Sequence, residues 1–182
     1  MIEQFHNFTT DEEIEYALKT FKGLEGLYHK NKKNRSTTLF EDAYHPDFIK
    51  LVSLYTEKIK NKINKDMYLH SSTILKYQVG DSMELHSDLQ RDCYDDIMSM
   101  IVYFADDYTG GEIVFPYKDP VFEIKPPRAM AMTYSPHGEE NLHYIKEVTS
   151  GIKYAMAFCF TTNKDLIKDP YKSMYEQNKI VY

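Results

Sequence analysis

His86 and Asp88 stand two residues apart in "MELHSDLQ", residues 83–90. Both side chains can ligate a metal, and in an extended strand that spacing puts them on one face. The pair alone is weak: with seven His in 182 residues, a chance His-x-Asp turns up in roughly every second chain of this kind. Non-haem Fe(II) oxygenases hold iron with two His and one carboxylate on one side of the metal, and three positions stay open. A third donor must therefore come from a distant strand, because one strand cannot surround a metal. "SPHGEENLHYIKEVTSGIK" offers His137, beside Gly138 in a turn-like stretch, and His143, which begins a strand-like one. Lys153 lies ten residues after His143.

These residues need a scaffold, and the period of the sequence supplies one. Thr10 and Glu13 form a capping-box pattern, followed by Ile14, Ala17, Leu18 and Phe21 at helical spacing. Pro46 and Asp47 suit a second helix start, with Phe48, Leu51, Val52, Tyr55, Ile59 and Ile63 along one face. From residue 67 the period becomes that of strands, expected at 68–79, 83–88, 97–105, 112–117, 121–125, 129–134, 142–148 and 152–161. "DDYTGGE" and "YKDP" read as turns. Eight short strands after two helices predict a mainly β fold, a two-sheet jelly roll with N-terminal helices. In "IKYAMAFCFTT", Lys153, Ala155, Ala157, Cys159 and Thr161 share one face, and Tyr154, Met156, Phe158 and Phe160 share the other. If Lys153 points into the barrel, small residues leave room there for a ligand and the large ones pack against helices or a second sheet.

Four stretches carry a resemblance to a known family. "YQVGDSMELHSD" is similar to Y-x-x-G-x-x-aromatic-x-x-H-x-D, with Met83 at the aromatic. "YFADDYTGGEIVFP" is similar to Y-L-N-D…G-G-E-T-x-F-P, with Ile113 for Thr. "FEIKPPRAMAMTY" resembles V-x-P-x-x-G-x-A-x-x-F, with Arg128 read in place of the Gly, and "HYIKEVTSGIK" resembles H-x-x-x-P-V-x-x-G-x-K, with Glu147 for Pro. Together they resemble the 2-oxoglutarate- and Fe(II)-dependent oxygenases, prolyl 4-hydroxylase-like branch, over roughly residues 68–161. The resemblance implies a double-stranded β-helix in which His86, Asp88 and His143 ligate iron. It implies that Lys153 pairs with the distal carboxylate of 2-oxoglutarate and that Tyr77 hydrogen-bonds it. O2 would be the cosubstrate, with ascorbate as a further candidate cofactor. It also implies hydroxylation of an unactivated C–H coupled to conversion of 2-oxoglutarate to succinate and CO2, on a peptidyl, prolyl-type substrate. Branch members often carry Trp and His six and eight residues after the Lys; here Cys159 and Thr161 stand there. With Met83, these departures predict a softer, altered substrate wall.

Composition narrows the alternatives. One domain over 1–182 is expected, with helical support at 1–66, the jelly-roll core at 67–162 and a C-terminal arm from 163. A net charge of −6 and a pI of about 5.6 count against broad nucleic-acid or membrane binding. Only "HKNKKNR", residues 29–35, suggests an acidic partner; a solvated loop is the plainer reading. Two Cys, Cys93 and Cys159, make no disulfide framework, and both read as passive. No signal peptide or spanning segment is recognised, so a cytoplasmic location is expected. His6, His29, His45 and His70 read as surface or capping residues, and Asp92, Asp95 and Asp96 as a solvated loop. Two rivals to the hydroxylase are a nucleic-acid-modifying enzyme of the same fold and a cupin-like metal-binding protein without turnover. The oligomeric state has no sequence signature.

Overall fold

The computed structural model describes residues 1–31, 37–40, 44–63, 66–89, 95–167 and 169–176. In chain order the strands and helices are β1 (Glu3–Phe5), α1 (Asp11–Gly23), β2 (His29–Asn31), β3 (Thr37–Phe40), α2 (Pro46–Ile63), β4 (Tyr68–Tyr77), β5 (Met83–His86), β6 (Asp96–Tyr103), β7 (Thr109–Gly110), β8 (Ile113–Phe115), β9 (Phe122–Ile124), β10 (Ala131–Tyr134), β11 (His143–Ile145), β12 (Val148–Ser150), β13 (Lys153–Thr161) and α3 (Tyr171–Glu176). The major sheet runs β1-β10-β6-β13-β4-β3-β2, the minor sheet β5-β11-β8-β9, and β12 pairs with β7. Every strand pairing is antiparallel. This is the expected mainly β jelly roll with N-terminal helices.

Alternation along β13 divides the interior in two. Tyr154, Met156, Phe158 and Phe160 join a core with Ile14, Ala17 and Phe21 of α1 and Phe48, Leu51, Val52, Tyr55 and Ile59 of α2. Fully burying each such side chain contributes roughly 1.5–3 kcal/mol, so this layer carries much of the stability. Phe21 and Tyr55 both meet Phe104 edge-on, with ring centroids 5.1 and 5.4 Å apart. On the other face, Ala155 joins Tyr77, Met83, Ile101, Tyr103, Phe115, Met132 and Tyr134 in the layer between the sheets. The capping box is formed, since Glu13 N–H donates to Thr10 Oγ1 and Thr10 N–H to Glu13 Oε2. Among the described residues no helix is long and apolar enough to cross a membrane.

Several expectations are corrected. β1, β2, β3 and β7 are too short to show a period and were not anticipated. The strand expected at 142–148 divides into β11 and β12, which pair with different neighbours. The expected strand 83–88 stops at His86. In the C-terminal arm α3 is docked: Tyr171 is buried, with its hydroxyl 3.2 Å from Ser72 Oγ.

The residue that takes the glycine-like place in "PPRAM" is Ala129, not Arg128. Met130 N–H donates to the Pro127 carbonyl, closing a turn, and its third residue, Ala129, has φ +68°. That is a type II arrangement, which favours Gly there. Arg128 instead pairs with Asp11 of α1. A non-glycine left-handed residue costs roughly 1–2 kcal/mol, part of which a glycine returns as unfolded-chain entropy. Ala129→Gly is therefore expected to stabilise the fold by about 0.5–1 kcal/mol, and Arg128→Gly to destabilise it slightly. Urea-unfolding midpoints check this, and the reverse order would contradict the turn assignment.

Candidate metal centre

β5 and β11 build the site by pairing. His86 lies opposite His143, but Ile145 lies opposite Met83. Two steps on β11 thus match three on β5, which is a bulge. In a regular strand Met83 and His86 would face opposite ways. The bulge lets Met83 bury between the sheets while His86 turns toward His143, their ring centroids 4.3 Å apart.

Asp88 arrives differently from the expected strand face. It follows the end of β5, beyond a turn in which Ser87 Oγ donates to the Pro136 carbonyl at 2.8 Å and accepts Leu89 N–H at 3.1 Å. Asp88 Oδ1 then lies 3.5 Å from His86 Nε2 and 3.7 Å from His143 Nε2. One ligand atom from each of the three residues lies within 4.8 Å of the others.

The tautomers follow from the carbonyls. His86 Nδ1–H donates to the Glu84 carbonyl at 2.8 Å, and His143 Nδ1–H to the Asn141 carbonyl at 3.1 Å. A carbonyl only accepts, so each proton sits on Nδ1 and each Nε2 carries the lone pair that a metal would take. Burial pushes the Asp88 carboxyl up, but positive charge on the His143 and His86 rings, a place that a bound metal would take over, and the Tyr134 hydroxyl outweigh it and hold the group well below the usual carboxylate range. Two neutral imidazoles and one carboxylate suit a divalent first-row metal such as iron. Asn141 is pinned in turn, because Lys118 Nζ donates to its Oδ1 at 2.7 Å.

Lys153 opens β13 opposite Tyr77 and is 1% exposed. Its Nζ donates to the Gly111 carbonyl at 2.7 Å and lies 5.1 and 5.5 Å from the ring centres of Tyr77 and Tyr103. It forms no ion pair with a described residue. Burial pushes its amine down to about 7, against the opposing charge of Glu112. Gly111 is required beside it: its φ is +69°, and a Cβ would come within 3.3 Å of the Lys153 Cδ. The Tyr103 hydroxyl is buried there without a hydrogen bond to a described residue, a cost of about 1–3 kcal/mol. An anion between Lys153 and Tyr103 would satisfy both groups.

Tyr103 had no expected role, although the signal was present. It lies across from Ala155, on the inward face that Lys153 begins. Tyr77 lies opposite Lys153, and its hydroxyl contacts Met83 Sδ at 3.8 Å. His137 stays outside the cluster and donates from Nε2 to the Asp96 carbonyl at 2.6 Å. His70 is not a surface residue: its side chain is 7% exposed and its Nδ1 lies 3.0 Å from Asp96 Oδ1, so Asp96 is not in a solvated loop either. His6 and His29 are exposed, and His45 Nδ1 accepts the Asp47 N–H at the start of α2. Cys159 is a free, half-buried thiol that burial, then the Asp88 charge, push up to about 12. Lys30 pairs with the buried carboxylate of Asp81. Residues 32–36 of the basic stretch, and Arg91, Asp92 and Cys93 beside the metal strand, lie outside the described residues.

No family model matches the chain. A 68-residue stretch is 35% identical to the 2-oxoglutarate and iron-dependent oxygenase domain-containing protein 3 of Rattus norvegicus, and spans 37% of this chain and 21% of that protein. The viral collagen prolyl hydroxylase of Paramecium bursaria Chlorella virus-1, in its 2OG complex, aligns over 90% of this chain and 96% of its own, with TM-score 0.64 and 21% identity. A Trichoplax adhaerens prolyl hydroxylase in complex with a hypoxia inducible factor peptide aligns over 91% and 85%, with TM-score 0.72 and 15% identity. A Pseudomonas putida prolyl-4-hydroxylase aligns over 89% and 92%, with TM-score 0.67 and 13% identity. The chain has the prolyl hydroxylase fold. In this 2OG oxygenase fold, the inter-sheet layer of the chain holds both the His86–Asp88–His143 cluster and the buried Lys153.

Two measurements follow. His143→Ala is expected to lower Co(II) affinity at least ten-fold, while His137→Ala retains it; the opposite ranking would contradict the cluster. Lys153→Met should stabilise the protein at neutral pH, because it removes a buried, unneutralised amine. The folded pKa of about 7 lies below the unfolded value of about 10.4. Across that window the unfolded chain holds the extra proton, so wild-type stability rises with pH by at most about 1.4 kcal/mol per unit. Urea unfolding at several pH values should show the variant's advantage shrinking as pH rises; parallel curves would contradict a depressed amine.

Proposed function

We propose that the protein is an Fe(II)- and 2-oxoglutarate-dependent dioxygenase that hydroxylates an unactivated C–H of a peptide or protein, with proline the leading target. The observation that carries this reading is the pairing of a convergent two-His, one-carboxylate cluster with a buried, unneutralised lysine in one inter-sheet layer. His86, Asp88 and His143 would hold the iron. Lys153 would take the distal carboxylate of the keto acid, with the orphan Tyr103 hydroxyl donating to it and the Tyr77 ring beneath. The bound iron supplies the oxidising chemistry: R–H, O2 and 2-oxoglutarate give R–OH, succinate and CO2. The chain's own part is positional. The Nδ1–carbonyl bonds fix the imidazoles, the cation orients the keto acid, and the aromatic layer of Phe115, Tyr134 and Tyr103 excludes water.

A peptide target draws on the sequence resemblance and on the Trichoplax relative, whose structure contains a peptide. The nucleic-acid alternative is weakened by the net charge of −6 and by the engagement of Lys30 with Asp81. A metal holder without turnover leaves the burial of Lys153 unexplained. The altered substrate wall reduces to one position. Met83 is packed under Tyr77, and Thr161 is buried with its hydroxyl donating to the Asp95 carbonyl at 3.0 Å. Cys159 alone of the three is partly open, and it leaves a smaller, softer surface than an indole.

With Fe(II) and 2-oxoglutarate, succinate release should rise on adding Pro-rich peptides. Mass spectrometry should then find a gain of about 16 Da, one oxygen atom. Methylated oligonucleotides and Pro-free peptides run alongside; oxidation of the oligonucleotides alone would overturn the peptide reading. Lys153→Met should weaken 2-oxoglutarate 10- to 100-fold, roughly the 1.5–3 kcal/mol of a charge-assisted contact. Wild-type binding above about pH 7 should take up a proton, seen by calorimetry in buffers of different ionisation enthalpy. Binding without uptake would place the carboxylate elsewhere.

A further inference from the structure

Tyr134 ends β10, and its hydroxyl is buried against the cluster. It donates to Asp88 Oδ2 at 2.6 Å, and the hydroxyl oxygen itself lies 3.2 Å from His143 Nε2. A phenol has one proton, and the carboxylate is the stronger acceptor. The two oxygens of Asp88 are thereby divided. Oδ1 faces both imidazole Nε2 atoms at 3.5 and 3.7 Å, while Oδ2 faces the phenol. The ring is fixed independently of the hydroxyl, by Phe115 and His143, both with centroids 5.0 Å away. In the motif V-x-P-x-x-G-x-A-x-x-F this position carries Phe, so the hydroxyl belongs to this chain rather than to the pattern it resembles.

We infer that Tyr134 is a positioning residue that keeps Asp88 a one-oxygen metal ligand. The inference rests on the reading of His86, Asp88 and His143 as ligands. An unrestrained carboxylate can rotate and bind through both oxygens, which fills a position that the keto acid or O2 requires. Here that rotation breaks a short, charge-assisted hydrogen bond to the hydroxyl of a buried tyrosine. The hydroxyl thus preserves open positions without itself touching the reacting atoms.

Tyr134→Phe removes the oxygen and keeps the ring. Co(II) serves as the probe ion and 2-oxoglutarate as the second ligand. The expected result is a changed Co(II) d–d spectrum, as Oδ2 joins the metal, and about ten-fold weaker binding of 2-oxoglutarate to the Co(II) form. The thermal midpoint of the metal-free protein should stay within a few degrees of wild type. A purely structural tyrosine would move the midpoint and leave the spectrum alone. The wild type gives a second reading that needs no variant: the infrared difference on Co(II) loading should show the wide carboxylate splitting of one-oxygen ligation. A narrow, two-oxygen splitting there, or a Tyr134→Phe protein with unchanged spectrum and 2-oxoglutarate affinity, overturns the inference alone. A wild type that binds no Co(II) removes the ligand reading and the inference with it.

Discussion

The burial of one amine governs the arrangement of the inter-sheet layer. Lys153 sits where the ammonium form is costly and where no described carboxylate neutralises it. Its surroundings are built to tolerate this. Gly111 leaves room for the methylene stem and lends its carbonyl, and Tyr77 and Tyr103 present their ring faces. Ala155, next on the same face of β13, is small. Such an arrangement opposes folding until an anion arrives. It makes physical sense as a binding site held in advance of its ligand.

That local cost requires stability from elsewhere, and the fold separates the two demands. The helix-facing core is closed by α1 and α2 over the large side chains of β13 and β6, with aromatic edge contacts at Phe104. The opposite face of the same strands can then hold polar and charged groups. A single strand's period of two is thus the device that joins a scaffold to a site. The minor sheet contributes what the major one lacks, a bulged β5 and its partner β11, which aim two imidazoles at one carboxylate.

Where the signal was periodic or spaced along the chain, it could be read in advance. The helix stripes, the two faces of β13 and the spacing of His86, Asp88 and His143, which the fold gathers into one cluster, all fall in that class. What could not be read depends on contacts across the chain. The bulge at Glu84–Leu85 is visible only once β5 meets β11. Asp88 reaches the cluster through the Ser87 turn rather than by strand alternation. Tyr103 and Tyr134 look like ordinary core tyrosines until the pairing puts their hydroxyls beside Lys153 and Asp88. His70 and Asp96 look like solvated residues, yet they meet in the interior. The glycine-like turn shows a misplaced reading: Arg128 does not hold the Gly position, since counting from Pro126, Ala131 and Tyr134 puts it at Ala129, where the backbone has its positive φ.

The central claim is that one inter-sheet pocket takes both the metal and the keto acid. A crystal structure with Mn(II) and N-oxalylglycine, an unreactive analogue of 2-oxoglutarate, tests it most directly. The account predicts Mn(II) bound by His86 Nε2, Asp88 Oδ1 and His143 Nε2, with the analogue's distal carboxylate against Lys153 Nζ and the Tyr103 hydroxyl. Mn(II) at other residues, or an analogue whose carboxylate leaves Lys153 on the Gly111 carbonyl alone, would contradict it.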